Sequence, residues 1–329
     1  MVKIGVIGCS RIAKKSVLEA INCSRYAKLV MIGSRDVKNA EKLCKHYGCK
    51  KWGNYYDVIN CPEVDLVYIS LPNSMHEEWT IKAAISGKHV WVEKPASVSY
   101  KSATNMIETC MAKRVRLFEG YMFQHHPQHS VVMRMIESGS MGEIVKFDGV
   151  FSFPYPDQSS NLLNPDLGGG ALNDSAGYPI FASRMIFNEE PLQVYCTIVK
   201  EKTTDIPVRV NALLSFSNGR TAHIFSGFGS YFQSHYSVLC SEALVRVNRA
   251  YAVPKNHSAT ITIERNDIVE TISANEADQF EIMIDSFCKT LLGLELSSSS
   301  EKDILKQARV MEAVRLSAAH NRPINISEV

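Results

Sequence analysis

The residues best suited to chemistry lie in four short segments. In the first, Gly8-Cys9-Ser10-Arg11-Ile12-Ala13, a glycine closes an apolar run and a small alanine allows close helix–strand packing. A helix starting there offers free N–H groups and a positive dipole end to a pyrophosphate, so Gly8, Ser10, Arg11 and Ile12 are candidate dinucleotide contacts. Ser10 replaces the middle glycine of the usual fingerprint; it is small, and its hydroxyl can donate to phosphate, but the departure weakens the motif. The second segment is Ile32-Gly33-Ser34-Arg35-Asp36. A carboxylate at this strand end would bind ribose hydroxyls, whereas Ser34 and the Arg35 guanidinium suit a 2′-phosphate, which favours NADP(H). NAD(H) fits the alternative in which Arg35 lies over the adenine and Asp36 takes the ribose. The third segment ends Trp91-Val92-Glu93-Lys94-Pro95, and the fourth contains Asp174 and Tyr178, four residues apart.

These segments need a scaffold, and the chain supplies two rhythms. Up to about residue 120, apolar runs at Val2–Gly8, Lys28–Gly33, Asp65–Leu71, His89–Glu93 and Val115–Glu119 predict strands. Helical patterns at Ile12–Asn22, Val37–Tyr47, Met75–Ser86 and Tyr100–Lys113 separate them. Continuously apolar strands linked by helices imply a parallel sheet covered on both faces. After residue 140, six strand-like runs follow: Ile144–Phe153, Leu192–Lys200, Val208–Phe216, Thr221–Phe228, Tyr236–Val247 and Ala259–Glu264. Turn signals such as Asn218-Gly219 favour antiparallel pairing among them. Helices are expected at Gln128–Ser138, Asn173–Phe187, Ala277–Leu292 and Asp303–Asn321, the last after Ser297–Ser300 with Ser300 and Asp303 as a capping pair. The expectation is an α/β protein, a doubly wound Rossmann domain over 1–122 followed by an α/β domain with a mostly antiparallel open sheet over 123–329.

Composition narrows the partners. The 329 residues carry 36 Lys plus Arg against 34 Asp plus Glu, a net of +2 spread without basic blocks, which leaves no electrostatic footprint for nucleic acid. Nine cysteines, odd in number and with no Cys-x-x-Cys pair, argue against a disulfide framework or zinc ribbon and for thiols in a reducing compartment. No apolar stretch approaches the ~20 residues of a membrane span, and Met1–Gly8 does not read as a signal peptide. A cytoplasmic location is the default.

Further motifs give these segments a common setting. Leu71-Pro72-Asn73-Ser74-Met75-His76 precedes Gly87–Pro95 with its Glu93-Lys94-Pro95, and the second half contains Gly168-Gly169-Gly170-Ala171-Leu172-Asn173-Asp174-Ser175-Ala176-Gly177-Tyr178-Pro179. With Gly8–Ala13, they resemble the Gfo/Idh/MocA oxidoreductase family over nearly the whole chain. The resemblance implies a nicotinamide cofactor held between the two domains, redox chemistry on a sugar or polyol carbon, and a homo-oligomer, dimer or tetramer, built on the open sheet. It places Leu71, Pro72, Asn73 and His76 along the cofactor and Glu93 and Lys94 beside the nicotinamide ribose and substrate. Many family members carry Asp-x-x-x-His where this chain has Asp174-x-x-x-Tyr178, a pattern more like the sugar ketoreductases and the dihydrodiol or xylose dehydrogenases. On one helix face, Tyr178 would act as general acid/base, Lys94 as its electrostatic partner and Asp174 as acceptor for a substrate hydroxyl. Asp174 has a second reading as a helix cap, and Tyr178 as packing. The substrate would be a sugar, a sugar nucleotide or a cyclic diol. The nearest enzymatic alternative is an NAD-dependent inositol-type dehydrogenase, against which the missing histidine at 178 and missing carboxylate at 34 speak. A dinucleotide-sensing regulator has no need of Lys94 and Tyr178, and a glycosidase working by transient oxidation stays open.

Other signals weigh less. His125 and His129 are four apart like metal ligands, yet Pro127 intrudes and no third ligand stands at a standard spacing, so no metal is expected. Gln124, beside them, falls in the family's domain crossover and is a candidate substrate contact. Cys9 reads as a small filler near the helix start, despite the lowered pKa that position can bring. Phe151–Leu167 reads equally as a lid or a surface loop.

Overall fold

The computed structural model describes residues 1–295 and 301–329; the Ser297–Ser300 stretch and its pairing with Asp303 lie outside them. The chain divides into two compact units, one of Met1–Met122 with Phe280–Ala308, the other of Phe123–Gln279 with Arg309–Val329. An undivided second domain from 123 to 329 therefore needs correction, since 280–308 returns to the first unit.

The first unit is a six-stranded parallel sheet in the order β3-β2-β1-β4-β5-β6, the Rossmann order. Its elements are β1 (Val2–Ile7), α1 (Leu18–Cys23, entered through a π-turn at Ala13–Val17), β2 (Ala27–Gly33), α2 (Val37–Tyr47), β3 (Lys51–Gly53), α3 (Tyr55–Ile59), β4 (Leu66–Ile69), α4 (His76–Ile85), β5 (His89–Val92), α5 (Tyr100–Ala112) and β6 (Leu117–Glu119). Every residue of β4 is fully buried, as a central strand with helices on both faces should be. The sequence pattern misses β3 and α3, because β3 is a three-residue edge strand with Lys51 and Trp52 exposed.

The second unit follows with α6 (Pro127–Glu137), β7 (Ile144–Phe153), α7 (Ala171–Asp174), α8 (Gly177–Phe187), β8 (Gln193–Lys200), β9 (Pro207–Ser215), β10 (Thr221–Phe228), β11 (Gln233–Cys240), β12 (Leu244–Asn248), β13 (Thr260–Arg265) and β14 (Ile268–Ser273). Then come α9 (Gln279–Leu291), α10 (Glu301–His320) and β15 (Ile324–Asn325). Nine strands form one sheet in the order β14-β13-β12-β11-β7-β10-β9-β8-β15. All pairs are antiparallel except β7 with β10. Asn218-Gly219 connects β9 to β10 as expected, with Arg220 N–H donating back to the Ser217 carbonyl. The run Tyr236–Val247 is a hairpin rather than one strand, because Cys240 and Ala243 close a tight turn through Ser241-Glu242.

Stacking and polar contacts bring the 280–308 segment onto the first unit. Phe287 stacks on Phe118 with centroids 4.6 Å apart, the Ser24 hydroxyl donates to Asp285, and Arg116 grips Glu301 through Nε (2.7 Å) and Nη2 (3.2 Å). The cysteines also depart from expectation. Cys44 and Cys49, flanking the C-terminus of α2, form a disulfide, and the seven others are free. Among the described residues no helix is long and apolar enough to cross a membrane.

Candidate active site

Gly8 ends β1 with φ +100°, a conformation L-residues rarely adopt, and a Cβ there would run into the Ser70 carbonyl. The chain turns here with its backbone bare and enters the helical stretch at Arg11, which is exposed, with Ile12 half-buried. Ser10 does not point outward. Its Oγ accepts from Ala13 N–H at 3.1 Å and shares a hydrogen with the Ser70 hydroxyl, so the side chain caps the helix and ties the turn to the end of β4. When Ser70 is the donor of that pair, the Ser10 hydrogen stays available to a phosphate beside the backbone amides of the turn. Burial raises the Cys9 thiol above its ordinary pKa, and the Ser34 hydrogen bond and Lys14 oppose it only partly, in keeping with a filler.

At the end of β2, Ser34 is buried and its Oγ accepts from Asp36 N–H at 3.2 Å. Asp36 is the N-cap of α2: Oδ1 accepts from Lys38 N–H (3.1 Å) and Oδ2 from the Asn39 amide (3.0 Å). Both carboxylate oxygens are thus occupied by the helix, while Arg35 is exposed beside them. This arrangement favours the 2′-phosphate reading over the ribose one.

The Leu71–His76 and Glu93–Lys94 segments meet through one side chain. His76 is fully buried, with Nδ1 2.8 Å from the Pro95 carbonyl and Nε2 3.0 Å from the Leu71 carbonyl. Burial lowers its pKa, though the hydrogen bonds to Pro95 and Leu71 pull the other way. Both ring nitrogens face backbone, so His76 is a strut between the two loops expected along the cofactor. Leu71 packs half-buried on the sheet core, while Pro72 and Asn73, also half-buried, open a 3-10 turn over Asn73–Met75. Glu93 Oε1 accepts from the Tyr68 hydroxyl at 2.7 Å. Lys94 is half-buried and joined to Pro95 by a cis peptide bond. Glu119, which the sequence did not single out, accepts the Ala96 N–H at 2.7 Å and pins the chain just beyond Lys94. A carboxylate ending an apolar run was the available signal.

In the second unit, the single helix expected over Asn173–Phe187 is broken. Asp174 is the last residue of α7, and Tyr178 lies in the first turn of α8 after Ser175-Ala176. The argument from four-residue spacing on one helix therefore fails, and so does Asp174 as a helix N-cap. Tyr178 is 5% exposed, its ring centroid 5.1 Å from Phe151, 5.7 Å from Phe123 and 6.0 Å from Tyr251. Rings on three sides leave the phenol little rotational freedom. Gln124 is half-buried in a 3-10 turn over Met122–His125. His129 is fully engaged: Nδ1 lies 3.0 Å from the Tyr236 hydroxyl and Nε2 3.0 Å from the Ala250 carbonyl, a pattern that commits both nitrogens to the fold instead of a metal.

Comparison with known proteins accords with this geometry. Residues 2–121 match the oxidoreductase family with an NAD-binding Rossmann fold, and residues 129–246 match the Gfo/Idh/MocA C-terminal domain. The chain is 32% identical to a dTDP-3,4-didehydro-2,6-dideoxy-alpha-D-glucose 3-reductase of Actinomadura kijaniata, with 96% of each chain covered. It is 27% identical to D-xylose 1-dehydrogenase (NADP(+)) 2 of Haloferax volcanii, over 95% of this chain and 96% of that one. Among solved structures, KijD10, a 3-ketoreductase from Actinomadura kijaniata in complex with NADP and TDP-benzene, superposes with a TM-score of 0.92 at 31% identity over 96% of this chain and 97% of its own. The chain belongs to the Gfo/Idh/MocA family of oxidoreductases.

Proposed function

We propose that this protein is an NADP(H)-preferring oxidoreductase that moves a hydride between nicotinamide and the carbonyl or hydroxyl carbon of a sugar, with a nucleotide-linked ketosugar as the leading substrate class. The observation that carries the cofactor choice is the Asp36 carboxylate held by Lys38 and Asn39 while Arg35 stands exposed beside buried Ser34. The bare turn at Gly8, where a Cβ has no room, suits a pyrophosphate at the helix start. Higher identity to a dTDP-ketosugar 3-reductase (32%) than to a D-xylose 1-dehydrogenase (27%), each over nearly the whole chain, supports the substrate class over a free aldose.

When bound, NADPH supplies the hydride. The chain supplies charge and a proton. Tyr178, fixed by Phe123, Phe151 and Tyr251, gives its phenolic proton to the carbonyl oxygen as the carbon is reduced, and takes one back in the oxidative direction. Lys94 places its ammonium where negative charge gathers on that oxygen, on a loop set by His76 and Glu119. Asp174 accepts a hydrogen bond from a neighbouring sugar hydroxyl and orients the ring.

The test is a panel of ketosugar nucleotides, free ketoses and free aldoses, followed at the nicotinamide absorbance with NADPH, NADP⁺ and their NAD counterparts. NADPH-dependent reduction of a ketosugar nucleotide is expected, with kcat lowered about 100-fold or more in Lys94→Ala and Tyr178→Phe. Turnover of both variants within a few-fold of the unmodified protein would remove the catalytic assignment.

A further inference from the structure

The two residues flanking Asp174 are both tied down. On one side, the Asn173 amide donates from Nδ2 to the carbonyls of Gly168 (3.1 Å) and Gly169 (3.4 Å). Its Oδ1 accepts from Arg315 Nη2 at 2.9 Å, and Arg315 Nη1 is held by Glu312 Oε2 at 3.2 Å, one turn earlier on α10. On the other side, Ser175 is fully buried. Its hydroxyl donates to the Ala171 carbonyl at 3.2 Å and lies 2.6 Å from the Ser226 hydroxyl of β10. With its one hydrogen on Ala171, Ser175 accepts from Ser226.

The loop that Asn173 holds is folded back on itself. Gly169 N–H donates to the Asn164 carbonyl at 3.0 Å and Gly170 N–H to the Leu162 carbonyl at 2.8 Å. A Cβ at Gly169 would come within 2.6 to 2.9 Å of three carbonyl oxygens. The Asn173 amide answers two of the carbonyls that this turn leaves over. Immobilising an arginine on Asn173 costs side-chain entropy.

We propose that Asn173, Arg315, Ser175 and Ser226 form a two-sided clamp, positioning residues that fix the direction of Asp174 and with it the grip on a substrate hydroxyl. The proposal rests on the assignment of Asp174 as hydroxyl acceptor. A backbone anchored on both sides of Asp174 narrows where its carboxylate can reach before substrate arrives, and a displacement of about 1 Å can cost about 100-fold in rate.

The experiment compares Asn173→Leu, Ser226→Ala, Arg315→Met, Arg315→Lys and Asp174→Ala in the full chain. It measures kcat and KM for the reactive sugar, KM for NADPH and the melting temperature. For Asn173→Leu and Arg315→Met, kcat/KM for the sugar should fall about 10- to 100-fold while KM for NADPH stays within about twofold. Arg315→Lys, which keeps a donor to Asn173, should recover most of the loss. The double variant Asn173→Leu/Asp174→Ala should be no worse than Asp174→Ala alone, as expected for residues acting through one another. If Asp174→Ala loses activity while Asn173→Leu and Arg315→Met stay within about twofold of wild type, the clamp is scaffolding only and the proposal falls. If Asp174→Ala is itself as active as wild type, the underlying assignment fails, and the clamp with it.

Discussion

The proposed cofactor choice rests on three consecutive side chains. Ser34 is buried, Arg35 exposed, and Asp36 spends both carboxylate oxygens on α2. A charge-assisted contact of Arg35 with a 2′-phosphate is worth about 1.5–3 kcal/mol. Arg35→Ala should therefore raise KM for NADPH about 10- to 100-fold and leave KM for NADH nearly unchanged. Ser34→Asp should reverse the preference by placing a carboxylate where ribose hydroxyls bind. Asp36→Ala separates the two readings of this turn. As a lost cap it should cost about 1 kcal/mol of stability with cofactor preference intact; a collapse of NADH use in that variant would give Asp36 the ribose after all. Initial rates with both cofactors and a denaturant titration check all three. The types Ser34-Arg35-Asp36 were visible in the sequence, but which of them was free was not, because that depends on where α2 begins.

At the scale of elements, acid should loosen the structure in two ways. Glu301 opens α10, and although burial raises its carboxyl pKa, hydrogen bonds from Arg116 and from the Leu117 amide outweigh this and hold it below the ordinary value. A depressed carboxyl stabilises the fold above its unfolded pKa and loses that contribution as pH falls through the folded one. Glu301→Gln should cost about 1 kcal/mol at pH 7, allowing for solvent screening of the partly exposed Arg116, and the difference from wild type should shrink below pH 4.5. The histidines act over a higher range. Burial lowers His125 to about 4 and His129 to about 3. The unfolded chain takes up their protons as pH drops below 6.5 and the folded one does not, so stability declines from there down to those values. Each contributes on the order of 1 kcal/mol per pH unit. Unfolding free energies between pH 7 and 4.5 should show this slope, reduced by one proton in His129→Phe; an unchanged slope would assign the acid sensitivity elsewhere. Legibility at this scale follows the range of the forces. Buried strands such as Leu66–Ile69 declare themselves by continuous apolar runs, and α2 and α5 by period and caps. The break between α7 and α8 is only half legible: Gly177 and Pro179 mark it inside the helical pattern, but the Ser175–Ser226 bond beside it spans 51 residues. The return of α9 does not declare itself, because it depends on Phe287 finding Phe118.

For the whole molecule, the nine-stranded sheet raises the question of its outer face. Along β8 and β9, Val194, Cys196, Val210 and Leu214 are buried, while Tyr195 (37% exposed), Val199 (47%) and Leu213 (38%) point the other way. Leu239 on β11 adds a further apolar side chain at 41% exposure. The outer face mixes these apolar side chains with Thr197, Arg209, Asn211 and His223, the composition of a face that a partner can cover. A second copy of this chain is the proposed cover, since an isologous pairing of one broad face with itself closes as a dimer. Such a pairing must bury about 1,200 Å² or more in total to be stable. Sedimentation velocity should then give a mass of at least two chains of 36.8 kDa each. The double substitution Tyr195→Asp/Leu213→Asp buries two charges at the centre of that contact and should yield a monomer. NADPH affinity should persist in it, because Gly8, Ser34 and Arg35 belong to the other unit. A wild-type protein that sediments as a single chain at micromolar concentration would sink the pairing. A double variant that stays oligomeric would move the contact to another surface of the second unit, with the exposed edge strand Ile268–Ser273 next in line.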